Sequence, residues 1–453
     1  MSKKHAFLIP HPPLLIPDVG RKNEIPNTKA AIEKIVAQIK EINPETIVII
    51  SPHSTSYGDY IHIAPGKSAE GDMGKFNAKH IKFSVDYDHE FAKLIGDIAT
   101  TKELPAGPLG ERDRTLDHGV TVPLHFIKHR RIVRISIAGL PLIDHYFLGM
   151  CIAEAGKQLN RKFVVIASGD MSHKLKNDGP YGFAPEGPQF DEFVRDCVQH
   201  AKWQELIQID PDLAENAAEC GLKSLVTLLG FFESHEIKSN ALCYEGPFGV
   251  GYLTATFESG ETALSLIEKL LDDHENAMKQ TRADESEYVK LARLTVEHYV
   301  HTGKKLAPQK GLSNTLLKTR AGVFVSLKKD DELRGCIGTI NPTTKNLAEE
   351  IIGNAISACS RDGRFLPVTQ AELADIVYSV DVLFPAEHIK NKTELDVNRY
   401  GVIVRLGRRS GLLLPSLAGI NTVDEQISIV LRKAGIHPDE PYTMERFEVI
   451  RHK

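Results

Sequence analysis

The sequence predicts an α/β N-terminal domain with a largely parallel central sheet, followed by an α+β C-terminal domain. Three observations carry this. Short β-branched runs alternate with helical periodicity as far as residue 257, a charged stretch without strand signal follows, and a mixed pattern resumes near Tyr288. At 453 residues the chain also exceeds the size at which one hydrophobic core stops growing.

In chain order, Thr46-Ile-Val-Ile-Ile50, Arg131 to Ile137 and Lys162 to Ala167 read as buried strands. Helical patterns run over 28–42, 89–99, 148–159, 190–208 and 219–232, and Gly249 to Phe257 reads as a closing strand. These place the first domain at 1–260. Residues 261–284, apolar at Leu264, Leu266, Ile267, Leu270 and Leu271 and then acidic, read as a helical linker. The second domain takes 285–453, with an amphipathic helix from Tyr288, strands over 321–327, 377–383 and 401–406, and helices over 346–359 and 423–434.

Composition narrows the function. A net charge of −5 argues against a partner held by phosphate neutralisation, so no nucleic acid is expected. It also suits an anionic membrane surface poorly, and no apolar run is long enough to span a bilayer. The apolar start Phe7-Leu8-Ile9 is cut by Pro10, Pro12 and Pro13, which a signal helix would not tolerate. Six cysteines without a CxxC spacing indicate neither a disulfide scaffold nor a zinc knuckle, and a cytoplasmic home is expected.

Of 19 histidines, 13 precede residue 240, which directs the search for chemistry to the front half. Four fall where a strand ends or a loop turns: His11 in Ile-Pro-His-Pro-Pro, His53 in Ser-Pro-His-Ser, His118 in Asp-His-Gly, and His173 in Ser-Gly-Asp-Met-Ser-His. In open α/β sheets ligands collect at the carboxyl ends of strands, so these loops can share one edge. Taken singly, such a histidine is more often a surface or hydrogen-bonded residue than a ligand; four of them at one sheet edge point to a shared site. Glu219, near a predicted helix start, is a candidate third metal ligand with Glu215 as the weaker choice; a carboxylate stabilising the helix dipole is the alternative.

Together these motifs resemble the class III extradiol ring-cleavage dioxygenases of the LigB-like type, over about residues 5 to 258. The resemblance implies Fe(2+) held by His11, His53 and Glu219, with His118 and His173 as the catalytic acid/base and oxygen-handling residues. It implies a catechol-like small molecule and O2 as reactants. Asp117 or Asp170 would set a neighbouring imidazole's tautomer.

Leu333-Arg-Gly-Cys-Ile-Gly338, Arg361-Asp-Gly-Arg-Phe-Leu-Pro367, Tyr378 to Leu383 and Arg409 to Pro415 resemble the AMMECR domain. Such domains are paired with a Memo-like protein and a radical SAM protein, which makes a radical SAM partner an expectation. The pair Cys220-Gly221 is similar to the Memo-like branch, in which a cysteine accompanies the histidines, so Cys220 is the alternative ligand. That branch implies a metal-binding module without oxygenase turnover, and an oligomer is possible in either case.

Cys336 is either a thiol activated by Arg334 and Arg364 or a small packed hydrophobe. The same arginines with Arg408 and Arg409 form either an anion site or a solvated face. Gly246 to Tyr252 precedes a strand rather than following one, which argues against a nucleotide loop.

Overall fold

The computed structural model describes residues 3–20, 24–110, 113–307, 311–329, 332–417 and 419–453. The chain divides into two compact units, 1–270 and 271–453.

The first unit opens with β1 (His5–Ile9), α1 (Pro26–Ile42), β2 (Thr46–Ser51) and a short β3 (Ile61–His62). Then come β4 (Ser68–Met73), β5 (Ala78–Tyr87), α2 (His89–Thr101), β6 (Ala106–Gly107) and α3 (His118–Ile127). β7 (Arg131–Ser136), α4 (Leu142–Gln158), β8 (Phe163–Ser168), α5 (Glu186–His200) and α6 (Trp203–Ile207) follow. α7 (Pro211–Ala217), α8 (Leu222–Phe231), β9 (His235–Glu245) and β10 (Tyr252–Thr262) complete it.

Eight strands make one sheet in the order β4-β5-β7-β2-β8-β1-β10-β9. The run from β5 to β1 is parallel, and an antiparallel strand or pair borders each end. Alternation along the strands builds two cores. Ala6, Leu8, Val48 and Ile50 face one with α2, α4, α5 and α8, while Phe7, Ile9, Ile47 and Ile49 face the other with α1 and α3. Each such aliphatic side chain taken fully out of water contributes roughly 1.5–3 kcal/mol, which is why the parallel strands read as unbroken apolar runs.

This topology positions the site. β2, β8 and β1 are neighbours, with Ile50 opposite Ala167 and Ser168 opposite Ile9. The loops leaving their carboxyl ends therefore emerge side by side. Those loops carry His53, His173 and His11.

α9 (Leu266–Asp284) buries Ile267 and Leu270 at its start and later bonds through Arg282 to the carbonyls of Leu373 and Ala374. The second unit continues with α10 (Glu287–Thr302), α11 (Asn314–Lys318), β11 (Gly322–Lys329), β12 (Glu332–Thr339) and α12 (Leu347–Ser360). β13 (Val377–Leu383), β14 (Glu387–Ile389), β15 (Tyr400–Leu406), β16 (Arg409–Leu413), α13 (Val423–Ala434) and β17 (Thr443–His452) follow. Its sheet is antiparallel, ordered β12-β11-β13-β17-β15-β16 with β14 on β17. α10 and α12 cover one core, and α13 covers a second on β15 and β16.

The expected helix over 190–208 is two helices, broken where Ala201 adopts φ 55°. The β4–β5 hairpin and β9 went unforeseen because their residues alternate with exposed polar positions instead of forming apolar runs.

Candidate metal centre

His11 sits two residues beyond β1 and is buried. Its backbone N–H donates to Asp170 Oδ1 at 2.8 Å, and its Nδ1 lies 2.9 Å from Ser168 Oγ. The Ser168 hydroxyl donates to the carbonyl of Gly119 at 2.6 Å. A carbonyl only accepts, so the proton between His11 and Ser168 belongs to Nδ1. His11 Nε2 is left with a lone pair.

That lone pair meets the other imidazoles. His53 Nε2 is 3.0 Å away, and ligand atoms of His11, His53 and His118 all lie within 4.8 Å of one another. The His53 and His118 rings stack at 4.1 Å, both roughly perpendicular to His11. Burial depresses all three: His11 falls well below its ordinary value, His53 falls, and His118 drops to about 3, each helped by neighbouring imidazoles. Near neutral pH the cluster is a set of uncharged nitrogen donors.

Asp117, the residue before α3, ties the two loops that carry His53 and His118. Its carboxylate accepts from Ser51 Oγ at 2.6 Å and Ser54 Oγ at 2.7 Å. The glycine of Asp-His-Gly has a steric reason, because a Cβ on Gly119 would stand 2.2 Å from Ser51 Oγ. At Gly169 a Cβ would stand 2.2 Å from the Cα of Gly221, so the loop after β8 rests directly on the Cys220-Gly221 turn. This accounts for both glycine-bearing motifs.

His173 Nδ1 lies 2.6 Å from the carbonyl of Ala218, so that nitrogen carries the proton and Nε2 can accept one. Ala218 itself is left-handed at φ 52°, the turn that ends α7. Below this loop, Asp191 accepts from Ser172 N at 2.7 Å and from the Tyr244 hydroxyl at 2.6 Å.

Glu219 stands elsewhere. Its Oε2 accepts from Leu222 N at 2.6 Å, a carboxylate at the start of α8, and among the described residues it is outside the three-histidine cluster. Burial pushes its carboxyl up to about 7. Among the described residues the cluster thus gathers His11 and His53 of the expected set with His118 and without Glu219. Cys220 takes the inward direction, with Sγ 3.7 Å from His11 Nε2 and accepting from Asp170 N at 3.3 Å. His118, expected as an acid/base residue, joins the metal-capable imidazoles. Two donors about 2.1 Å from one ion and at a right angle stand roughly 3.0 Å apart, so the His11–His53 spacing fits one divalent cation.

A cleft of about 1270 Å³ reaches the cluster at His53 and His118, walled by the β4–β5 hairpin, the turn bearing Lys75 and Phe76, and residues 113–117. Sequence reading missed this wall. It also missed Arg134, a buried cation inside an apparent core strand, which donates to the carbonyls of Asp113 and Thr115 at 2.7 Å each. A charged residue amid a β-branched run was the available signal.

In the second unit Cys336 lies within β12 and accepts from Ser326 Oγ at 3.2 Å, and burial pushes its thiol up. Arg334, Arg364 and Arg409 each face a carboxylate, of Glu372, Asp362 and Glu440 respectively, so they form no free anion site. Gly246 to Gly251 is the turn between β9 and β10. No helix among the described residues is long and apolar enough to cross a membrane.

An open, mostly parallel α/β sheet with an imidazole cluster in the loops at one edge defines an α/β class with a candidate metal centre. Residues 5–255 match the family described as the catalytic LigB subunit of aromatic ring-opening dioxygenase, and residues 289–452 match AMMECR1. A protein of Clostridium acetobutylicum is 41% identical over 467 residues, covering 100% of both chains. One of Thermotoga maritima is 50% identical over 171 residues, which is 37% of this chain and 98% of that one. A crystal structure of a Pyrococcus horikoshii protein is 35% identical with a TM-score of 0.34, over 36% of this chain and 88% of that one. The chain belongs to the LigB family, in the form fused to an AMMECR1 domain.

Proposed function

We propose that the first unit is an Fe(2+)-dependent extradiol-type dioxygenase acting with O2 on a catechol-like aromatic. The observation that carries this reading is the 3.0 Å approach of His11 Nε2 and His53 Nε2, beside His118, where a large cleft opens. His11 and His53 would hold the ion, with His118 and Cys220 as the further donors within reach. Ferrous iron bound there would supply the electrons and open positions that bring a diol and O2 together.

This chain's residues do the rest. His173 accepts a proton at Nε2 from a ring hydroxyl, because its Nδ1–H is committed to Ala218. Phe76, 5.5 Å from the His118 ring, gives a planar substrate an aromatic wall. All six cysteines are free thiols, in keeping with a reducing cytoplasm.

The test is anaerobic loading with Fe(2+), then a panel of catechols followed with an oxygen electrode. Oxygen uptake with a yellow ring-opened product is expected, and His173→Gln should stop uptake while the metal stays bound. Background uptake across the panel rejects the reading.

A second reading is favoured by the Cys220 thiol facing His11. It is a Memo-like metal-binding module without turnover, serving a radical SAM partner. Metal binding with background oxygen uptake would select it.

A further inference from the structure

Exposed aromatic rings call for a reason, since burial is worth more for them than for most side chains. In the first unit, the large hydrophobic residues left exposed among those described are Leu109, Tyr181, Phe183, Phe248 and Leu264. The three aromatic ones, 63%, 50% and 42% exposed, all lie on two loops that touch: the segment following His173, and the turn between β9 and β10.

These loops are fastened together. Leu175 N donates to Gly249 O at 3.1 Å, Lys176 Nζ donates to Pro247 O at 2.7 Å, and Leu175 pairs with Phe183 in an antiparallel bridge. A Cβ on Gly179 would stand 3.0 Å from the Cα of Gly249. Tyr181 and Phe248 are thus two residues and one residue from the closest backbone approach. The segments that carry these exposed rings are therefore held against one another through their backbones.

This exposed surface meets the reacting centre at Tyr181. The Tyr181 ring stands 5.2 Å from the ring of His173 at 80°, an edge contact with the residue argued to take the substrate's proton. An occupant of this surface therefore reaches the same imidazole as an occupant of the cluster.

We infer that Tyr181, Phe183 and Phe248 form a subsite for an apolar, aromatic extension of the substrate, so that the diol taken is an aryl-substituted catechol rather than a bare ring. This rests on the catechol reading above. A second ring on the substrate would bury apolar surface that these rings leave in water, and aromatic pairs add about 0.5–1.5 kcal/mol beyond area burial. Contact with His173 selects a substrate substituent over a partner protein as the occupant.

The experiment is anaerobic calorimetric titration of the Fe(2+)-loaded full chain with catechol and with 3-phenylcatechol. The phenyl group is expected to tighten binding about fivefold to tenfold. Tyr181→Ala with Phe248→Ala should bring the ratio of the two dissociation constants to about one. Tyr181→Phe should restore it, and Leu264→Ala, a surface control, should leave it as in the parent.

Equal affinities for the two probes, or a preference surviving the double substitution, would overturn the subsite while catechol binding still upheld the function reading. Binding of neither probe would sink both. If the double substitution instead changed only the oligomeric state by light scattering, the patch would be a self-association surface and the inference wrong.

Discussion

Ser168 fixes the protonation of His11: its hydroxyl accepts from His11 Nδ1 at 2.9 Å because its own proton goes to Gly119 O at 2.6 Å. One side chain thus aims the Nε2 lone pair of a buried imidazole and ties the end of β8 to α3. Ser168→Ala leaves a buried N–H and a buried carbonyl without partners, a cost of about 1–3 kcal/mol. It also frees the ring to change tautomer. Metal affinity by competition titration should fall about 10- to 100-fold. A variant binding metal as the parent does would show that the hydroxyl has no orienting role.

The neighbours Glu219 and Cys220 should separate cleanly by substitution. Cys220→Ala removes the thiol facing His11 and should weaken metal binding, whereas Glu219→Gln keeps the acceptor for Leu222 N and should leave affinity nearly unchanged. The same glutamine has a signature in stability. Burial raises the Glu219 carboxyl from 4.5 to about 7, so its favourable state is complete below pH 4.5 and is lost as pH rises through 7. Urea unfolding should show Glu219→Gln gaining on the parent between pH 4.5 and 7, with the gap constant above. The opposite trend would place the carboxylate next to a cation.

His118 gives the reverse slope. Its pKa is depressed to about 3, chiefly by burial and then by His11 and His53. Its contribution is therefore complete above the unfolded value of 6.5 and is withdrawn as pH falls toward 3. In metal-free protein, His118→Phe should flatten the acid limb of stability, by up to about 1.4 kcal/mol per pH unit for one proton. Phe76 and the stacked His53 ring offer the replacement aromatic surroundings. An unchanged limb would mean that His118 is solvated in the folded state.

How far these features were legible in the sequence follows from what each depends on. Strand order sets which loops meet, so His11, His53 and His173 could be found from apolar runs that end at Ile9, Ile50 and Ala167. The choice between Glu219 and Cys220 could not. Adjacent residues after a left-handed Ala218 point to different places, and a backbone angle decides which one faces the cluster. The hairpin wall escaped because edge strands alternate with exposed polar residues and lack the signature of a buried strand. In the second unit, strands over 377–383 and 401–406 were clear, but β12 was not, because Gly335 and Gly338 interrupt its apolar pattern.

Arg134 shows what that hidden wall depends on. It is 1% exposed, stands 5.8 Å from the Tyr87 ring, and spends its fork on the carbonyls of Asp113 and Thr115. The same segment is zipped on its other side to β4, through Glu70 N to Arg114 O at 2.9 Å and Leu116 N to Glu70 O at 2.8 Å. Two residues later the chain reaches Asp117 and His118. Arg134→Met removes two charge-assisted bonds and should cost about 2–4 kcal/mol in urea unfolding. Arg134→Lys keeps the charge, but a single ammonium lacks the planar fork that spans both carbonyls, so it should recover less than half of the loss. If the guanidinium acts by positioning, hydrogen exchange over residues 113–118 should quicken in both variants and metal affinity should fall with it. Loss of stability with unchanged exchange in that segment and unchanged metal binding would reduce Arg134 to a core residue with no bearing on the site.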